Sequence, residues 1–321
     1  MSAATQVTTA ATSQVKKPAR DPRNGLRMSA SLATVFTILG HTVLGFEQPL
    51  IAVFVALGTG YTCALLFEFV DAWACNGTPN YAGGGWKKFI DFLLPAHMTS
   101  ITLSFLLYTF DQMWPLAFTV AISIGAKHVI RVQQRGRLQH VMNPSNFGAV
   151  ICFALFQWTT VLPWGFTTTV SGVTDWIIPI VIVMLGSRLN LLFTGRWPLI
   201  SSWLGSYAVI SFVRSMWLGS PWTAELIMFT GIPLVLFTFY MITDPQTSPS
   251  RPRSQMIFGI SIAVAYEVLL ALQVQYTMFY AVGAVCALRG SIIALQNMGV
   301  LAHLEQPAPL PRPVESASIA S

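Results

Sequence analysis

Residues 49–70 read PLIAVFVALGTGYTCALLFEFV, an apolar run in which Glu68 is the single charged side chain. About 20 apolar residues in α-helical form cross the hydrocarbon core of a bilayer. In lipid every backbone N–H and C=O has to be paired inside the segment, which a helix does and an isolated strand does not. Further apolar runs lie at 28–46, 89–110, 113–130, 146–163, 175–193, 198–217, 222–242, 255–273 and 277–296. The ten-residue apolar/polar alternation of a membrane barrel is missing. The composition agrees: of 321 residues 54% are hydrophobic and 9% charged, where a soluble domain carries about 25% charged residues. The chain is therefore read as an all-α polytopic integral membrane protein of about ten transmembrane helices.

The domain plan follows from the flanks. Residues 1–27 are rich in Ser, Thr and Ala and then basic, with Lys16, Lys17, Arg20, Arg23 and Arg27, and read as a disordered tail. Residues 28–297 form the membrane domain, and 304–321, containing PAPLPRPVESAS, a second disordered tail. With the first tail inside, alternate loops carry Lys87 and Lys88, then Arg131, Arg135 and Arg137, then Arg196, then Arg251 and Arg253, while the loops between them carry none. The positive-inside rule thus predicts a multi-pass cell-membrane protein with both termini in the cytoplasm. The net charge of +6 does not imply nucleic acid, because its basic residues sit in short loops beside apolar runs and attract anionic headgroups instead. Cys63, Cys75, Cys152 and Cys286 show no CxxC spacing, so no disulfide framework and no metal site is expected. Trp158, Trp164, Trp176, Trp197, Trp203, Trp217 and Trp222 read as interfacial belts.

Charge at membrane depth is costly and marks candidate sites. His41, Glu68, His97, Lys127, Glu267 and Arg289 are the leading candidates, with Glu267 and Arg289 expected to pair across the last helical hairpin. His41 and His97 fall at different depths, which argues against a bis-histidine haem. Signatures of zinc hydrolases and of nucleophilic triads are missing, so no catalytic set is assigned. Gly83-Gly84-Gly85-Trp86-Lys87-Lys88 lacks the features of a phosphate loop and reads as a connector. Asn76-Gly77-Thr78 matches a glycosylation sequon but falls on the cytoplasmic side, so it is read as a chance match.

Three polar segments carry more. Asn143-Pro144-Ser145-Asn146-Phe147-Gly148 and Thr243-Asp244-Pro245-Gln246-Thr247-Ser248-Pro249 each set an Asx-Pro bend against a cytoplasmic helix end. Val170-Ser171-Gly172-Val173-Thr174-Asp175 lies in an outer loop.

The Thr243-Asp244-Pro245…Thr247-Ser248-Pro249 segment followed by Gly259, and the Lys127…Gly136…Asn143-Pro144 segment, resemble the RnfD/NqrB membrane subunits of ion-translocating electron-transport complexes. A closer resemblance, over roughly residues 30–295, is to the RnfD-like membrane proteins of UnbU type from enediyne biosynthesis clusters. It rests on Leu39-Gly40-His41-Thr42-Val43-Leu44-Gly45-Phe46-Glu47, Val70-Asp71-Ala72-Trp73-Ala74, Asp91-Phe92-Leu93-Leu94-Pro95-Ala96-His97 and the two elbows. The resemblance implies two related five-helix halves. It also implies FMN esterified to a threonine of an outer S-G-A-T loop, which nominates Thr174 with Ser171 and Gly172. Here Val173 stands for the Ala, and Thr168 and Thr169 stand where the family has an acidic residue. Thr174 equally suits an N-cap. The expected function is that of an RnfD-like membrane protein of enediyne natural-product biosynthesis, as an electron-transfer subunit. The alternatives are a transporter of a precursor or product, and a scaffold that docks other membrane or biosynthetic-cluster proteins on the basic loop from Arg131 to His140.

Overall fold

The structure, a computed structural model, describes residues 22–134, 137–161 and 171–298. Most of the first tail and the whole of the second lie outside the described residues. So do Arg135 and Gly136 of the basic loop, residues 162–170 with Trp164, Thr168 and Thr169, and the side chain of Thr174.

Nine of the ten apolar runs each overlap one helix among the described residues, although the helix of the run at 146–163 stops at Leu155 and that of the run at 89–110 stops at Leu106, each giving way to a short strand. Those helices are α1 (Pro22–Thr42), α2 (Leu50–Ala74), α3 (Gly85–Leu106), α4 (Trp114–Val129), α5 (Pro144–Leu155), α6 (Thr174–Leu189), α7 (Trp197–Leu218), α10 (Pro252–Ala271) and α11 (Thr277–Asn297). The run at 222–242 is broken into α8 (Trp222–Glu225), a 3₁₀ turn at Ile227–Thr230, α9 (Ile232–Leu236) and a π turn at Phe237–Met241. Gly231 is extended there and Pro233, which has no N–H, opens α9, so one continuous helix cannot run through. A second π turn, Asn190–Thr194, extends α6.

Among the described residues five helices are long and apolar enough to cross a membrane: Leu50–Ala74, Gly85–Leu106, Asp175–Thr194, Pro252–Ala271 and Thr277–Asn297. Helix α4 has 16 residues and α5 has 12, shorter than a full span. Among the described residues α1 runs from Pro22, ahead of the apolar run, and Arg27 in its second turn is paired with Asp91 of α3 at 2.5 Å.

Packing centres on α7 against α10, and on α2 against α3 and α4; α11 joins α10 and α5. Small residues let these helices approach, with Gly60 of α2 against Ser100 of α3, Gly148 of α5 against Ser123 of α4, and Gly259 of α10 against Ser202 of α7. Trp203, expected at an interface, is instead fully buried: its indole N–H donates to Thr238 Oγ1 at 3.0 Å and its ring packs among Tyr207, Phe237 and Tyr266. Position alone does not separate a wet tryptophan from one that faces a neighbouring helix. Trp176 and Trp217 are exposed, amid many exposed Phe, Ile, Leu and Val side chains. A surface this apolar suits a lipid environment.

Two small antiparallel pairings complete the fold. β1 (Leu107–Tyr108) pairs with β4 (Thr160–Val161), and β2 (Arg131–Gln134) pairs with β3 (Arg137–His140) in the register Arg131↔His140. The basic loop of the sequence is therefore a β-hairpin between α4 and α5. Asn76 holds a left-handed conformation (φ 50°) just past α2, and Gly77 N–H donates to Ala72 O, so the sequon doubles as a helix stop.

Candidate functional site

The two Asx-Pro elbows meet. Asn143 caps α5 by accepting the Asn146 N–H on Oδ1 at 3.2 Å, with Pro144 in the first helical position. Its Nδ2 donates to Met241 O at 3.1 Å, in the π turn that leads into the second elbow. Asn146, one turn on, donates from Nδ2 to Phe279 O of α11. In the second elbow Thr243 Oγ1 donates to Phe239 O at 2.7 Å. Asp244 caps no helix: Oδ1 accepts the Gln246 N–H and Oδ2 the Thr247 hydroxyl, closing an Asx turn ahead of α10. The carbonyls that this bend leaves without helical partners are taken by two arginines. Arg196 donates to Pro245 O and Pro249 O, and Arg289 to Thr247 O at 2.8 Å. Guanidinium forks suit this because one side chain satisfies two acceptors.

Beside the elbows lies a cavity of about 430 Å³, lined by Glu68, Asp71, Asn80, Lys127, His128, Arg131, Leu138, Gln139, His140 and Gln246. Five segments build it: the end of α2, the α2–α3 loop with Asn80, the end of α4, the β2–β3 hairpin and the second elbow. Glu68 is buried, and its Oε1 accepts both the backbone N–H and the side-chain amide of Asn80, at 2.8 and 2.7 Å. Asp71 is paired with Arg131 at 3.0 Å. Arg131 also donates to His128 Nδ1 at 2.9 Å, so that ring nitrogen is an acceptor. Lys127 donates only to neutral oxygens, Pro95 O at 3.1 Å and Thr99 Oγ1 at 2.9 Å, and so braces α3 near its proline. On the hairpin, burial lowers the pKa of His140; Asp244 opposes the shift, and Lys127 and Arg131 add to it.

Of the candidates read from the sequence, Glu68 and Lys127 share this cavity, and the elbow residues adjoin it. His97 lies deeper among α1, α2 and α3. Thr34 spends its hydroxyl proton on Ala30 O, so His97 Nε2 donates to Thr34 Oγ1 (2.9 Å) and Nδ1 accepts from Tyr61 OH (2.6 Å). His41 stands apart, donating from Nδ1 to Thr37 O at the far end of α1.

The expected Glu267–Arg289 pair is not formed. Glu267 instead pairs with Arg214 of α7 at 3.2 Å and accepts from Ser211 Oγ. Depth explains this: at 1.5 Å per residue, Glu267 lies about 10 Å and Arg289 about 22 Å from the turn between their helices. Ser171 and Gly172 are exposed, Gly172 has φ 71° with open space around it, and the backbone of Thr174 is the first residue of α6, with Val173 in the cap position. Helix α6 and its π turn run from there to Arg196 at the elbows, so this turn and the cavity lie toward opposite ends of that helix.

Arg196 and His140 entered the sequence reading only as loop residues, and two further contributors, Tyr61 and Asn190, escaped it. The last joins the two π turns by donating from Nδ2 to Gly186 O and Phe239 O, each at 2.9 Å. Single π turns of this kind often sit at functional sites. Only Arg196 gave a local signal, a lone arginine beside Gly195 and Pro198 between two apolar runs. No protein-family model and no curated protein matches the chain.

Proposed function

We propose that this chain is an RnfD/NqrB-like integral membrane protein of the cell membrane, with about ten transmembrane helices in two five-helix halves and both termini cytoplasmic. It serves enediyne-type natural-product biosynthesis, and its task there is to carry a small polar precursor or product through the bilayer. The observation that supports transport is the closure of two Asx-Pro elbows, one opening α5 and the other following the broken run at 222–242, through Asn143 and Met241 beside a charged cavity. Broken helices with polar side chains and freed backbone groups are what membrane transporters use to build solute sites. Membrane or cluster-encoded partners would meet it on the β2–β3 hairpin.

A second reading is electron transfer, and the open turn at Ser171 and Gly172 favours it. A threonine-linked flavin needs room outside the helix bundle, and a Cβ built on Gly172 meets nothing within 4 Å among the described residues. Thr174 would hold the FMN, with exposed Trp176 beside it. A bound flavin supplies one-electron chemistry; the chain itself would hold and orient it.

Proteoliposomes and an in-gel flavin assay separate the two. Uptake of biosynthetic intermediates by the purified, flavin-free protein is the expected result. Fluorescence and an added mass that vanish in Thr174→Ala, without any flux, would replace transport by the redox reading.

A further inference from the structure

Among the charged side chains that line the elbow cavity, two stand outside any ion pair. Glu68 has its Oε1 occupied by Asn80, while Oε2 has no hydrogen-bond partner among the described residues. Lys127 has three N–H donors and two neutral acceptors. The remaining opposite charges, Asp71 and Arg131, are already joined at 3.0 Å. Asp244 of the second elbow acts on Lys127 through space without touching it, and its own oxygens are engaged by Gln246 and Thr247 in its turn.

One unpaired carboxylate and one unpaired ammonium thus line the same cavity, on α2 and α4, without touching. Buried charges are stable when paired and hydrogen-bonded. With both histidines neutral, the lining side chains carry two negative charges, Glu68 and Asp71, and two positive ones, Lys127 and Arg131. A ligand bearing one charge of each sign would complete both groups and leave the total unchanged.

We propose that this cavity binds a small zwitterion of the amino-acid class, its carboxylate on Lys127 and its ammonium on Glu68 Oε2. The volume of about 430 Å³ accommodates a molecule between alanine and an aromatic amino acid in size. Tyr61, His97 and Thr34 take no part, since their polar atoms are bonded to one another. The assignment deepens the transport reading by naming its solute, and rests on that reading for its purpose. Binding in detergent is nevertheless independent of flux, so a protein that binds but does not carry would sink the transport reading alone.

The test uses the full chain in detergent and follows thermal shift and calorimetric affinity for four probes: L-alanine, L-phenylalanine, L-phenylalaninamide and hydrocinnamate. One or both amino acids should bind, and the amide and the deaminated acid should each bind about tenfold or more weakly than phenylalanine, since each lacks one charge-assisted contact. Lys127→Gln should abolish the preference for phenylalanine over its amide. Glu68→Gln, which keeps an acceptor for Asn80, should abolish the preference over hydrocinnamate. The proposal is overturned if neither amino acid binds the folded wild-type chain at millimolar concentration, or if either single-charge analogue binds as tightly as phenylalanine. That comparison is made on the wild-type chain, so it decides the matter even where a variant fails to fold.

Discussion

His140 shows how one side chain links the hairpin to the acidic elbow. Its ring is half-buried on β3, opposite Arg131, and burial holds its pKa below the ordinary histidine value. The unfolded chain titrates near the ordinary value of about 6.5, so on acidification it takes up this proton before the native state does. Stability tied to His140 is therefore complete above that pH and is lost as the pH falls through it. Thermal unfolding in detergent between pH 8 and pH 5 should show Tm dropping below about 6.5, with a shallower drop in His140→Gln. An equal slope in the variant would remove His140 from this role. Arg131, Lys127 and Asp244 are the charged groups acting on the ring; the two cations add to the effect of burial and Asp244 opposes it.

At the scale of elements, close helix contacts separate glycines that matter from those that do not. A Cβ on Gly259 of α10 would meet Leu199 O, Trp203 N and Ser202 Oγ of α7, and backbone atoms cannot step aside without moving the helix. Gly259→Ala should cost about 1–3 kcal/mol through separation of α7 from α10. Gly58 of α2 has nothing within 4 Å of a built Cβ, and its helix is otherwise continuous. There Gly58→Ala should stabilise by about 1 kcal/mol from helix propensity alone. Melting curves of the two variants beside wild type decide the matter, and matching shifts would show that the α7–α10 contact has slack. Both substitutions were available to a reader of the sequence, yet nothing local distinguishes them. Which face of a helix meets a neighbour is settled only by packing.

For the whole molecule, the course of α6 sets two regions apart. Gly172 precedes this helix, and Arg196, just past its π turn, is bonded into the elbows. Reporters fused at Ser171 and at Gln134 of the hairpin should accordingly appear on opposite faces of the membrane; appearance on one face would refute the multi-pass reading. Nine helices could be read from the chain because length and apolar composition are local properties, and in lipid they leave the backbone no other hydrogen-bonded form. The Asn143–Pro144 cap was legible for the same reason, since its partner lies three residues away. The break at 222–242 was underread: apolar content ran through Gly231 and Pro233, and the backbone did not. Tertiary structure alone decided that Glu68 faces the cavity with Lys127, that Glu267 meets Arg214 rather than Arg289, and that Asn143 reaches Met241. Such pairings depend on depth along each helix and on which helices are neighbours, and no stretch of sequence shorter than the separation between partners encodes either.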